Sequence, residues 1–468
     1  MPVSNFLIVC LSVFVNLSNA KRLVLTFDGP YTLDDILLIP SGQVSPYGNT
    51  SGSQITAGVA SVNADAMTEH LFRIDRRILS VETDYEYIAL KPTRRPESTN
   101  TLYSWGIDRS DGKLDDKVSR SSSDGTGVSI YVIDTGVFAG HNEFQVDGRS
   151  RVQAGMDFTV SPPGRGDSDC HGHGTHVSST AAGKNLGYAT NALIYPVKVL
   201  SCSGSGSLTN VILGIEWASK QPGRKVISMS IGGGRSDALN KATKNAVALN
   251  AVVVVAAGNS AADACGYSPA SELSAITVAA TTKTDERAYY SNYGACIDMY
   301  APGSDIIGAS PISRVAITSM SGTSMACPHV SGVSATILQE MPSATPDQVR
   351  LRLLAWAEVN KITHSMPGTP NFFLRNQSPS VPTKMPTLMP TKKPSNAVAT
   401  LRPTHSVTVR PTISSCVNKS ETQCILTNTC RWFPFWNCQA VNFCGFRFES
   451  KCVLYSACKW NGNTCVTK

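Results

Sequence analysis

Apolar positions follow three different rhythms along the 468-residue chain. Over residues 21–90 the text reads as a small α+β unit: an apolar strand at 23–27, a helical stretch at 53–72 and a closing strand at 78–90. From 105 to 376 short, nearly all-apolar runs (128–133, 192–200, 226–231, 251–257 and 275–280) alternate with helical patterns. Runs that are apolar throughout, rather than every second residue, are strands buried on both faces, which predicts an α/β fold: a mainly parallel sheet flanked by helices. Leu208, Val211, Ile212, Ile215 and Ala218 recur at helical spacing after Ser207, and Thr345-Pro346-Asp347-Gln348 spells a capping box with proline at the first helical position. The third rhythm is the absence of one. Residues 377–415 place prolines at 382, 386, 390 and 394 among threonines and basic residues, an extended stalk with no core.

Beyond the stalk, residues 416–468 form a tandem repeat. Cys416, Cys424, Cys430 and Cys438 are spaced by seven, five and seven residues; Cys444, Cys452, Cys458 and Cys465 by seven, five and six; Trp432 and Trp460 each follow the third cysteine by two. Modules of about 28 residues bury too little to stand alone, so disulfides are expected to hold this tail. Fourteen cysteines in all imply an oxidising compartment. The apolar stretch 6–17 followed by Ser18-Asn19-Ala20 reads as a signal peptide ending at residue 20, and Asn376 and Asn418 lie in Asn-x-Ser sequons, so a secreted glycoprotein is expected. No apolar run approaches the roughly 18 residues of a bilayer span. From Gln377 onward eleven Lys and Arg face two Asp and Glu, a local +9 within a formal net charge of +7. The rest is neutral to slightly acidic, so nucleic acid is not an expected partner. The basic, aromatic tail suits a glycan or cell-surface ligand instead, and the chain is expected to be a monomer.

Three segments carry the elements of nucleophilic catalysis. An apolar run ends in Asp134, with Thr135 and Gly136 after it, and the end of a strand in a parallel sheet opens into the ligand crevice. Asp169-Cys170-His171-Gly172-His173-Gly174-Thr175-His176 holds three histidines, but not at the three- or four-residue spacing, with a carboxylate between, of a helical zinc motif. His173 is the better base, His176 reads as packed beneath it and His171 as nearer the surface. In Gly322-Thr323-Ser324-Met325-Ala326 a helix begins at or next to Ser324, bringing its hydroxyl to the positive helix end.

Taken together, and in the order Asp, His, Ser, these blocks resemble the three signatures of the subtilisin family, nearest to its proteinase K branch; Ser268-Pro269-Ala270-Ser271-Glu272 and Ser291-Asn292-Tyr293-Gly294 add to the likeness. The resemblance implies a serine endopeptidase with catalytic Asp134, His173 and Ser324, acting on polypeptides through an acyl-enzyme without a catalytic cofactor. It implies an oxyanion hole of Asn259 and the Ser324 amide, and a substrate-pairing wall of Ser230, Ile231, Gly232 and Gly233 with Ala257 and Gly258, suited to an apolar or aromatic P1 residue. Residues 21–90 would be an inhibitory propeptide cut from the catalytic domain (91–376) at Leu90, since Lys91-Pro92 disfavours cutting one residue later. The same likeness pairs Cys170 with Cys202 and Cys265 with Cys296, leaving Cys327 a free thiol. A structural calcium ion is implied too, but Thr282 stands where the family is expected to present a carboxylate.

Overall fold

In this computed structural model residues 21–27, 59–64, 69, 73, 78–90, 93–95, 104–160 and 163–378 are described, with two short strands near the C-terminus. The expected signal segment, all of the stalk beyond 378, Asn418 and most of the cysteine-rich repeat lie outside the described residues. The chain divides into two compact units, Met1–Met385 and Pro386–Lys468. Of the second, Cys458–Trp460 and Cys465–Thr467 form an antiparallel pair with Trp460 opposite Cys465.

In the first unit, β1 (Lys21–Phe27) is flanked by antiparallel β2 (Val59–Ala64) and β3 (Ile78–Thr83). The strand β2 corrects the helix expected over 53–72. Val62 pairs with Leu23 and is buried, so the ladder against β1 overrides local helical rhythm. Helix is found further on, where Glu69 and Arg73 are joined at 2.7 Å across one turn. The closing strand expected over 78–90 is in fact two, parted at Asp84 and Tyr85: β3 stays in this sheet, while β4 (Glu86–Ala89) leaves it.

After β5 (Thr93–Arg95) and α1 (Trp105–Ser110) the chain runs through β6 (Val128–Asp134), α2 (His173–Ala182), β7 (Leu193–Lys198), β8 (Ser205–Ser207), α3 (Leu208–Lys220), β9 (Arg224–Met229), β10 (Ile231–Gly234), α4 (Asp237–Ala248) and β11 (Val252–Ala256). It continues through β12 (Ile276–Thr281), β13 (Met299–Pro302), β14 (Ile306–Ala309), β15 (Ile317–Ser321), α5 (Thr323–Glu340) and α6 (Pro346–Trp356). β13, β12, β11, β9, β6 and β7 lie side by side in that order and all parallel. Each strand feeds both faces. Val128, Ile130 and Val132 of β6, with Val252 and Val254 of β11, pack into one core with α2 and α5. Tyr131, Ile133, Val253 and Val255 point the other way and pack with α3 and α4. That is why these strands carry apolar residues on both faces rather than at alternate positions.

Helix starts are set locally. Ser207 and Ser236 accept hydrogen bonds from Asn210 N and Leu239 N, and Thr345 and Gln348 form the expected capping box. The strand expected over 226–231 breaks at Ser230: β9 stays in the central sheet, and β10 turns out of it to pair with β4.

Candidate active site

Asp134 ends β6 and is fully buried; Thr135 N donates to its Oδ1 at 2.7 Å. His173 opens α2, and its Nδ1 lies 2.9 Å from each carboxylate oxygen of Asp134. A carboxylate accepts, so Nδ1 is the donor of this pair and Nε2 is the ring nitrogen left for another partner. Nε2 has no hydrogen-bond partner among the described residues. His176, one turn on, faces Ile306 O and Thr318 O through Nε2, and burial, with His173 nearby, pushes it down to about 3. It is a neutral packed residue. His171 is half-buried at the rim.

Asp169, given no role from the sequence, organises this corner. Its carboxylate accepts from His171 N, Gly172 N, Thr175 N and the hydroxyls of Thr135 and Thr175, and Thr135 Oγ1 in turn accepts from Gly174 N. The turn carrying His173 is thereby tied to the strand end carrying Asp134. Its only trace in the sequence is an aspartate shortly before a glycine turn, a common capping pattern.

Ser324 is the second residue of α5 and is fully buried. Its Oγ lies 3.0 Å from Ser230 O and 3.4 Å from Leu90 O, while Ser230 Oγ donates to Ser324 O at 2.8 Å. No hydrogen bond joins Ser324 to His173; the hydroxyl is turned toward the two carbonyls. Asn259 Oδ1 accepts from Thr323 N and Oγ1, which leaves its Nδ2 buried and without a hydrogen-bond partner among the described residues. A Cβ on Gly322 would meet Asn259 Nδ2 at 3.0 Å, Ser324 N at 3.6 Å and Leu90 O at 3.8 Å. Two amide donors and one peptide carbonyl therefore crowd a point that only glycine leaves open.

The carbonyl belongs to a strand lying in a cleft. β4 pairs antiparallel with β8 on one side and β10 on the other, with Ile231 opposite Ala89 and Gly232 opposite Ile88; Ala89 N donates to Gly204 O at 2.8 Å. The leucine side chain of Leu90 lies over Gly232, 3.1 Å from where a Cβ would stand. Tyr87 is buried over Gly233 and donates its hydroxyl to Gly234 O at 2.8 Å. Ala257 and Gly258 give their backbone groups to Val278, Asn292 and Thr323, and so build the loop that holds Asn259.

Residues 125–377 match the model of the subtilase family. The chain belongs to that family. It is 42% identical over 325 residues to the extracellular serine proteinase of Thermus sp. (strain Rt41A), which covers 68% of this chain and 76% of that protein. It is 38% identical over 326 residues to subtilisin-like protease 3 of Pseudogymnoascus destructans, covering 67% and 76%. Against alkaline serine exoprotease A of Vibrio alginolyticus identity is 43% over 313 residues, but the chain spans only 56% of that protein's length. The crystal structure of a cold adapted subtilisin-like serine proteinase overlays with a TM-score of 0.56 at 44% identity, covering 59% of this chain and 98% of that one. The subtilase described here is accordingly a serine endopeptidase of the hydrolase class.

Two disulfides brace the subtilase domain, Cys170–Cys202 and Cys265–Cys296, and Cys327 is a buried free thiol. Burial pushes that thiol up to about 11, and its Sγ faces Val254 O and Met229 O, so it is not a competing nucleophile. The sequon at Asn376 needs correction: the residue is buried, and its amide donates to Ser119 O at 2.7 Å, so the folded chain does not present it for glycosylation. No helix among the described residues is long and apolar enough to cross a membrane. Many subtilases bind structural calcium. At Thr282 the hydroxyl pairs with Thr284 Oγ1 and accepts from the amides of Thr284 and Glu286, and no cation ligand set forms around it.

Proposed function

We propose that this chain is a secreted, self-processing endopeptidase in which Ser324 is the nucleophile, His173 the base and Asp134 the group that holds the base, and that Leu90–Lys91 is the first bond it cuts. The observation that carries this reading is Leu90 itself: its carbonyl oxygen lies 3.4 Å from Ser324 Oγ, at the end of a strand paired on both edges with the cleft. In the reaction the Ser324 hydroxyl swings from Ser230 O to His173 Nε2, gives up its proton there and attacks the Leu90 carbonyl carbon. The oxyanion is received by Asn259 Nδ2 and Ser324 N. His173 passes the proton to the departing Lys91 nitrogen, and water then releases the acyl group by the same steps. Leu90 over Gly232 makes P1 apolar, and Tyr87 over Gly233 makes P4 aromatic.

Residues 21–90 act as the inhibitor of the enzyme they precede. Beyond the paired strand, Asp84 accepts from Thr209 N and Oγ1 at 3.0 Å each, and Glu82 Oε1 accepts from Ala238 N at 3.0 Å. Both carboxylates thus sit at helix N-termini, where negative charge is favoured, and hold the segment after the bond is cut. For the tail, its +9 charge and its tryptophans support attachment to an acidic or glycan-bearing surface, a role apart from the chemistry.

Ser324→Ala should lower peptide hydrolysis by several orders of magnitude, the size of effect known for subtilisin itself, and should leave the chain uncut at Leu90. N-terminal sequencing of the active protein should begin at Lys91. A start well before Tyr85 or well after Trp105, or a Ser324→Ala protein with a tenth of the activity, would refute the assignment.

A further inference from the structure

Arg350, on α6, reaches across to the loop that leads into β12. Its Nη2 donates to Leu273 O at 2.9 Å and to Ala275 O at 2.6 Å, and its Nε lies 3.7 Å from Asp298 Oδ1. Asp298 is itself fixed, its Oδ2 accepting from Thr277 N at 2.8 Å and its own amide donating to Thr277 O at 2.9 Å. Burial pushes the Asp298 carboxyl above its ordinary range, and the Arg350 charge works against that push. Three oxygens, two of them carbonyl and one carboxylate, therefore converge on a single cation. They are hard donors of the kind calcium takes, six to eight in all, with water making up the positions the protein does not fill. A guanidinium supplies positive charge to the same three oxygens, through directed N–H bonds to the two carbonyls and an ion pair to the carboxylate.

We propose that Arg350 is the resident cation of this oxygen cage, filling the place a structural calcium ion would otherwise take there, so that this corner of the fold holds without calcium. The positive charge that a structural calcium ion brings to many subtilases is supplied at this corner by a side chain.

The test uses the full chain carrying Ser324→Ala, to prevent self-digestion, as parent. Thermal unfolding is followed in chelator and in millimolar calcium for the parent, for Arg350→Ala, and for Arg350→Ala with Asp298→Asn; terbium luminescence counts ions bound. Arg350→Ala should unfold below the parent in chelator, should gain at least about 2–4 °C more than the parent from calcium, and should bind one terbium ion more. The double variant should show neither gain. Recovery of folded Arg350→Ala protein only when calcium is present would support the same conclusion. Equal calcium shifts in parent and Arg350→Ala, the same gain in the double variant, or failure to recover Arg350→Ala with or without calcium would overturn it.

Discussion

The cleft makes a quantitative claim about Gly233. A Cβ added there would meet Tyr87 Cε1 at 2.7 Å, Cδ1 at 2.8 Å and Cζ at 2.9 Å, all atoms of a rigid ring whose hydroxyl is anchored to Gly234 O. Gly233→Ala therefore shuts the P4 pocket against an aromatic side chain while leaving β10 able to pair with the substrate backbone. Burying an aromatic side chain removes about 150–250 Å² from water, which at roughly 25 cal/mol per Å² is about 4–6 kcal/mol gross. Only part of this is realised in the transition state, since ordering the substrate offsets some of it. A loss of about 1.4–2.8 kcal/mol, or 10- to 100-fold, is expected. The assay compares kcat/KM for two short peptides with leucine at P1 that differ only in tyrosine or alanine at P4. The ratio should fall by that factor in Gly233→Ala, almost wholly through the tyrosine substrate. The precursor offers an internal check: Gly233→Ala should accumulate uncut chain, because Tyr87 occupies that pocket in cis, and adding Tyr87→Ala should restore processing. If the ratio stays within twofold and processing is normal, Tyr87 does not mark a substrate subsite.

Asn259→Asp keeps the oxygen that accepts from Thr323 and replaces the amide donor by a carboxylate. kcat should fall at least 10²- to 10³-fold, the loss seen when subtilisin is stripped of its corresponding donor, with little change in melting temperature; an equal loss of stability would mean that Asn259 is chiefly a loop anchor. Burial also holds His176 down at about 3 and His329 at about 4, against an ordinary value of 6.5. Because the unfolded chain binds these protons first, their contribution is fully present above pH 6.5 and is lost as pH falls toward 4 and then 3, on the order of several kcal/mol for the pair. Urea midpoints of the Ser324→Ala protein, measured downward from pH 7, should drop across that window, and a flat midpoint would show that neither imidazole stays neutral.

Legibility followed burial. The central strands could be read because a parallel sheet covered on both faces writes itself as uninterrupted apolar runs, and β6 and β11 feed both cores. Helix starts could be read because Ser207 and Thr345 act on amides three residues away. What escaped was decided by distant partners. The strand at Val59–Ala64 exists because β1 offers an edge, and the break at Ser230 exists because β10 faces β4. Asp169 and Arg350 are ordinary polar residues in the sequence, and only the fold brings five donors to the one and three oxygens to the other. Asn376 shows the converse, a complete sequon whose amide is already used inside the protein.

In the self-processing reaction we propose, the segment ending at Leu90 would be both structural partner and substrate, and the two roles meet at the helix starts. The first three amides of α3 are answered by Tyr85 O, Asp84 Oδ1 and Ser207 Oγ, so two of the three partners come from the segment before Leu90. At α4, Ser236 answers Leu239 N and Glu82 answers Ala238 N. With the segment in place these helix ends are satisfied and β8 and β10 have a strand between them; without it the same donors and edges face water. Cutting after Leu90 does not dissolve these contacts, because none of them crosses the bond. It also turns the Leu90 carbonyl into a carboxylate beside Asn259 Nδ2 and Ser324 N, donors arranged for negative charge, so the product should bind at least as well as the uncut strand. On the proposed reading, cleavage and activation are therefore separate events: the first should depend on Ser324, and the second on whatever loosens the Asp84 and Glu82 caps.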